Sequence, residues 1–243
     1  MLAYLISFPT WSLLEPTPFN AEYSVKMNGM IVGKSQLALH VVQPNRFVGT
    51  SSLETVGLAA MLKKYRLKTS AEWLLDKSRM RLLESEYQLT SGEEKSSGKL
   101  LFSWSPASVQ LTDNLGTKIL VIPADTISRN ALPFALAHNL KKGKDSIEYA
   151  FVDGRKANRV RHMSFTKTGE ELLKTKIGDI QTVVLKRSDE VPASYYWYAP
   201  ELNYVVVKMQ YPDELFNSDI ITEITRYQSI PQETLSQSKP SAK

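Results

Sequence analysis

Hydrophobic positions recur with period two over most of the chain, the signature of strands with one buried and one wet face. Tyr23, Val25 and Met27 alternate with Glu22, Ser24 and Lys26. Asn28-Gly29 then supplies a turn, and Leu37, Leu39 and Val41 alternate with Gln36, Ala38 and His40, so residues 20–42 read as a hairpin. The clearest strand covers residues 64–75, with Tyr65, Leu67, Thr69, Ala71 and Trp73 on one face and Lys64, Arg66, Lys68, Ser70 and Glu72 on the other. Residues 80–89 continue in the same style, followed by short pieces at 100–104 and 109–111 around Pro106, and by 118–122 up to Pro123. Alternation resumes at Ile147, Tyr149 and Phe151 and continues through 160–166, 177–186, 195–198, 203–211 and 220–227. Short strands with such regular turn signals predict a mainly β chain: a single large antiparallel rolled sheet, or an open barrel or sandwich.

One segment reads as helical. Residues 125–140 carry Ile127, Ala131, Phe134, Ala135, Leu136 and Leu140 at helical spacing, with Asp125 as a cap and Lys141-Lys142-Gly143 at the end. Pro133 is expected to break or kink this helix. The ends differ from this pattern. Residues 1–18 begin with an apolar run to Phe8 and read as the remnant of an export signal or as a loose arm; there is no Lys or Arg before Lys26. Residues 229–243 are polar, contain Pro231 and Pro240, and read as a disordered tail, leaving 19–228 as one β-rich domain.

Composition removes several chemistries. The chain has 243 residues and no cysteine, so disulfide scaffolds, thiolate metal sites and cysteine nucleophiles are excluded. Three histidines are too few for a histidine-rich metal site, and no metal or cofactor is predicted. No apolar stretch is long enough for a membrane-spanning helix. The net charge of +5 draws on clusters at Lys63, Lys64, Arg66 and Lys68, at Lys141, Lys142 and Lys144, and at Arg155, Lys156, Arg159 and Arg161. Such clusters suit anionic partners in general, and a modest excess of this kind is also the ordinary solvated face of strands.

Motifs for catalysis are missing. There is no Gly-x-Ser-x-Gly elbow, no phosphate-binding glycine loop and no His-Glu-x-x-His pair. His40, His138 and His162 read as structural, and a triad of Ser128, His138 and Asp125 has no spacing rule behind it. No catalytic residue is predicted. The consecutive aromatics Tyr195, Tyr196, Trp197 and Tyr198 must alternate between two faces, so all of them can be core only if the sheet is covered on both sides.

Several of these pieces together resemble a known family. Tyr23-Ser-Val25 followed by Ile31-Val-Gly33, Gly57-Leu58, Phe102-Ser-Trp104, Asp125-Thr-Ile-Ser128, Gly178 and Trp197-Tyr-Ala-Pro200 follow the order and spacing of the bacterial domain-of-unknown-function 3108 family. The similarity spans residues 19–227; Tyr204-Val-Val-Val207 departs from it where a Leu-Pro-Val strand is usual. The resemblance implies an exported, β-rich protein of Gram-negative bacteria, hence a periplasmic location, and supplies no catalytic residue.

Two functions follow as expectations. The first is a non-enzymatic envelope protein that binds or carries lipid or another apolar ligand, with envelope proteins as further partners. Ile127, Ala131, Phe134 and Leu136 would form a helical lid and Trp73 and Trp197 a groove, unless the helix merely plugs the core. The alternative is a carboxylate-dependent enzyme acting on envelope polysaccharide, which needs an Asp or Glu in a cleft beside Trp73 or Trp197. Nucleic acid is not expected as a partner of an exported chain.

Overall fold

The computed structural model describes residues 16–77, 79–154, 160–213 and 218–231. Most of the segment read as an export signal, most of the polar tail, and Arg155, Lys156 and Arg159 lie outside the described residues. Eight strands come first: β1 (Phe19–Met27), β2 (Met30–Gln43), β3 (Arg46–Thr55), β4 (Tyr65–Asp76), β5 (Arg79–Ser91), β6 (Glu94–Trp104), β7 (Ala107–Asp113) and β8 (Gly116–Val121). A short helix α1 (Gly57–Leu62) interrupts them between β3 and β4. After β8 the chain forms β9 (Ile127–Ser128), a 3-10 turn (Arg129–Ala131) and helix α2 (Leu132–Lys141). It then returns through β10 (Ser146–Val152), β11 (Arg161–Thr175), β12 (Gly178–Arg187), β13 (Tyr195–Ala199), β14 (Val205–Asp213) and β15 (Ser218–Ser229).

All fifteen strands of the described residues join one sheet, in the order β8-β7-β6-β5-β4-β3-β2-β1-β15-β14-β13-β12-β11-β10-β9. Two meanders are thus stitched together where the first strand pairs with the last, with Ala21 opposite Tyr227. Neighbours are antiparallel apart from β9, which lies parallel to β10. β8 and β9 stand at opposite ends of the strand order, yet β8 ends at Val121 and β9 begins at Ile127. A link this short spans at most about 20 Å. The sheet must therefore roll until its ends approach each other. They meet by packing: β9 lies against β5, and Val152 of β10 clusters with Leu100, Val109 and Leu111 of β6 and β7. No strand pair joins β8 to β9 among the described residues, so the roll is not closed into a barrel.

The period-two faces meet inside the roll. Ala21, Leu37, Leu39, Phe47, Ala71 and Trp73 all point inward and are buried. The helix differs from its reading in the sequence. It starts at Leu132 with Pro133 in its first turn, where a missing N–H costs nothing, so proline opens the helix and does not break it. Asp125 is exposed and caps nothing; Ala131 holds the cap position, with no side-chain bond. Ile127 and Ser128 spend their backbone on β10, opposite Phe151 and Val152. The Pro133 ring would also clash with a helical carbonyl four residues back, at Arg129, which keeps 129–131 out of the α-helix. At the other end Gly143 takes φ +72°, with bonds from Gly143 N to Leu140 O (2.9 Å) and Lys144 N to Asn139 O (3.1 Å), a Schellman stop.

α2 is buried around most of its circumference and rests on β3 and β4. Gly49 makes that seat: a Cβ added there would lie 2.1 Å from Cε2 of Phe134. Phe134 also meets Trp73 at 5.1 Å between ring centroids, and Trp73 stacks on Phe47 at 6.0 Å. We expect Gly49→Ala to overpack this seat and lower stability by about 2 kcal/mol, a fall in Tm of roughly 4–8 °C for a chain of this size. Coupling to Phe134→Leu, which removes the clashing ring, should return part of the loss; strict additivity in thermal denaturation would contradict the seat.

Candidate functional site: the slot between helix and sheet

A narrow slot opens between α2 and the inner faces of β1, β2, β4 and β5, with residues 203–206 along one side. Its walls are mostly apolar: Phe19, Leu37, Leu39, Trp73, Met80 and Phe134. Two groups of α2, His138 and Lys141, add polar chemistry. Burial pushes the Lys141 ammonium below the ordinary lysine value, so a negative charge beside it would be favoured. The space is about 40 Å³, room for a few waters and well short of the roughly 300 Å³ at which small-molecule pockets begin.

Hydrogen bonds from flanking residues hold the helix in place. Tyr198 Oη donates to Pro133 O at 3.3 Å, and the Asn139 side-chain amide donates to Tyr149 Oη near the other end. In the preceding 3-10 turn, Asn130 Nδ2 donates to Ser85 Oγ (2.9 Å) and Glu86 O (2.8 Å) on β5. Arg129 grips the buried Asp153 at 2.9 Å through both Nε and a terminal nitrogen, tying the turn to the end of β10.

Of the residues singled out in the sequence, Trp73 and Phe134 come together and line the slot. Leu136 is fully buried on α2 without lining it. Ala131 is buried in the 3-10 turn and Ile127 in β9, so neither belongs to the helix. Trp197 lies elsewhere: its indole N–H donates to Glu171 Oε2 of β11 at 2.7 Å, and Lys208 Nζ sits 4.4 Å from its ring centre. The sheet is covered on both faces here, because β11 also packs on β15 and Leu173 lies beside Val207 and Ile224. Tyr196, Trp197 and Tyr198 are accordingly all buried. Lys141, which periodicity left in a basic run, lines the slot although sequence reasoning did not place it there, as do Phe19, Leu37, Leu39, Met80 and His138.

The enzyme alternatives fare differently. Ser128 Oγ is buried with no hydrogen-bond partner, so it is not engaged by His138, and Asp125 is exposed; the triad is not assembled. Glu171 does stand beside Trp197, but it is exposed to solvent. The larger depression, about 500 Å³ on the outer face of β15, β1, β2, β3 and β4, is lined by Asn20, Gln36, Thr50, Lys68 and Gln228, with Glu22 as its single carboxylate. A glycosidase needs two.

The structure therefore defines an open, rolled β-sheet protein with a helix seated in its interior. The family described as Protein of unknown function (DUF3108) matches residues 22–223, and the chain belongs to that family. Among solved structures it is similar to a β-barrel-like protein of a different domain of unknown function (DUF1849) from Brucella abortus. That likeness has a TM-score of 0.58 at 9% identity, covering 88% of this chain and 98% of the other. Looser likenesses are to a candidate lipoprotein from Parabacteroides distasonis (TM-score 0.35, 10% identity, 88% and 96% coverage) and a candidate exported protein with a YmcC-like fold from Bacteroides fragilis (0.38, 8%, 88% and 96%). No curated protein sequence matches the chain. The Brucella likeness is one of fold.

The core and its margin also hold a set of tyrosines, of which Tyr198 bonds to α2. Desolvation raises the phenols of Tyr23, Tyr196 and Tyr198 well above the ordinary value and pushes Tyr211 up to about 12. A phenol whose pKa is higher folded than unfolded contributes stability that is complete below about pH 10 and lost as pH rises toward the folded value. Denaturant midpoints should thus hold steady to about pH 9.5 and then fall, with a shallower fall in Tyr211→Phe. Phenolate absorbance showing every tyrosine ionising near pH 10 in a still-folded chain would contradict this.

Proposed function

We propose that this chain is a non-enzymatic protein of the bacterial periplasm that binds an apolar ligand of the acyl-chain type in the slot between α2 and the sheet. The observation that carries the reading is the slot itself: an apolar groove reaching Trp73 and Phe134, with the partly desolvated ammonium of Lys141 on its wall. An acyl chain with an anionic head matches both features. Export is the expectation that the family resemblance carries. No helix among the described residues is long and apolar enough to cross a membrane.

The slot as it stands is too small for such a chain, so binding requires α2 to withdraw from Gly49 and Trp73. The architecture supports that motion. Every strand of the sheet finds its partner in another strand, so no ladder of hydrogen bonds runs through α2. The helix N-terminus also has no side-chain cap. The second reading, a permanent plug in a protein that works through its surface, is favoured by the same small volume.

Native mass spectrometry of the protein purified from its own envelope fraction, with solvent extraction of bound material, separates the two. The carrier predicts a bound lipid of defined mass, depleted at least about fivefold in Lys141→Glu by loss of one charge-assisted contact. A folded sample with a clean apo mass, which also fails to bind added palmitate, supports the plug.

A further inference from the structure

α1 is an exception to the burial logic of the fold. Its sequence is Gly-Leu-Ala-Ala-Met-Leu, and none of its residues is buried. Leu58, Met61 and Leu62 are 77%, 83% and 89% exposed. The start of β2, beside the β1–β2 turn, adds Met30 and Ile31, both exposed. The two features are neighbours: Gly33 of β2 pairs with Thr55 of β3, Val56 N donates to Val32 O at 3.0 Å, and α1 packs against β2. The patch is also held in shape. Thr55 Oγ1 accepts from Tyr65 N at 3.0 Å and donates to Lys63 O at 3.1 Å, so both ends of the α1 segment are tied to one side chain. A six-residue helix has no stability of its own in water, so holding apolar side chains outward on such a fixed loop marks an interaction surface.

The charge around it identifies the partner. Residues 28–34 and 56–68 contain Lys34, Lys63, Lys64, Arg66 and Lys68 and no acid. The neighbouring acids, Glu54 opposite Lys34 and Arg66, and Glu93 and Glu94 after Gly92, whose N–H donates to Lys64 O at 2.7 Å, leave the cations in excess. All five cations are exposed, with Arg66 paired to Glu54 at 2.9 Å. Lys63 and Lys64 follow the apolar tip directly. We propose that α1 and the β1–β2 turn dock on an anionic lipid bilayer, with Leu58, Met61 and Leu62 entering the headgroup region and the lysines lying against the phosphates. Large apolar side chains inside a cationic rim are what an anionic interface binds, since the two contributions add. This surface is separate from the slot and does not depend on what the slot holds.

The test is co-sedimentation of the full chain with phosphatidylglycerol–phosphatidylethanolamine vesicles and with phosphatidylcholine vesicles, at low and high salt. The parent should bind the anionic vesicles, more weakly as salt rises, and leave neutral ones alone. Leu58→Asp with Met61→Asp should weaken binding about tenfold or more, and Lys63→Glu with Lys64→Glu by a similar factor. Neither pair should shift Tm appreciably, because these side chains are largely exposed, and Lys141→Glu should bind vesicles like the parent. The proposal is overturned if anionic vesicles are not bound, or if both double variants bind as the parent does. It is also overturned if light scattering shows a dimer that Leu58→Asp with Met61→Asp dissolves, for then the patch is occupied by a second copy.

Discussion

The inside of the roll is organised around the contact of the Phe134 ring with the bare backbone of Gly49, against the face of Trp73. The strand ladders alone curl the sheet, but they leave an interior that side chains from the strands do not fill. A residue without a Cβ in β3 lets an aromatic from α2 approach closer than any other residue would permit. Around that seat α2 brings Leu136 to full burial and hands Pro133 O to Tyr198 and the Asn139 amide to Tyr149. The same device recurs toward the other end of the sheet, where Gly98 lies under Tyr87 with a would-be Cβ 2.5 Å from the ring.

This arrangement gives the molecule two levels of cohesion. The sheet is continuous from β8 to β9 and needs no helix to complete its hydrogen bonding. The helix depends on packing and on a few side-chain bonds. An element held that way on a framework that stands without it is suited to opening locally while the rest stays folded. The apolar slot, Lys141 on its wall and the lack of an N-terminal cap on α2 all belong to that element. The exposed apolar tip on α1 is attached to β2 and β3, so the framework carries one surface and the helix governs the other.

Strand alternation was readable wherever the inward positions are large and apolar, as at Tyr23, Leu37, Leu39 and Trp73. It failed at β3, where Gly49 and Ser51 face inward because Phe134 and the Thr69 hydroxyl (2.7 Å from Ser51 Oγ) occupy the space. Small inward residues carry no period, and their meaning appears only with the partner that fills the gap. Beyond Leu100–Trp104, β6 was hidden for the same reason, since Gly98 faces Tyr87. The helix was legible as apolar and buried, but its start was not. Asp125 resembles a cap in the sequence, whereas pairing of Ile127 with Phe151, which is non-local, moves the start to Leu132. Of the residues lining the slot, Trp73 and Phe134 stand out from pattern alone. Lys141 was not, because half-burial of a lysine in a basic run is decided by the roll of the sheet. Trp197 was drawn into the groove by its aromaticity and belongs to the second covered face.

Amide hydrogen exchange on the ligand-free protein tests most directly whether α2 is a separable element. If it is, the amides of residues 136–141 exchange through an opening at least about 2 kcal/mol easier than that of β1 to β4, whose protection follows global unfolding. Protection of α2 equal to that of β1 to β4 under the same conditions would contradict the account and make the helix a fixed part of the core.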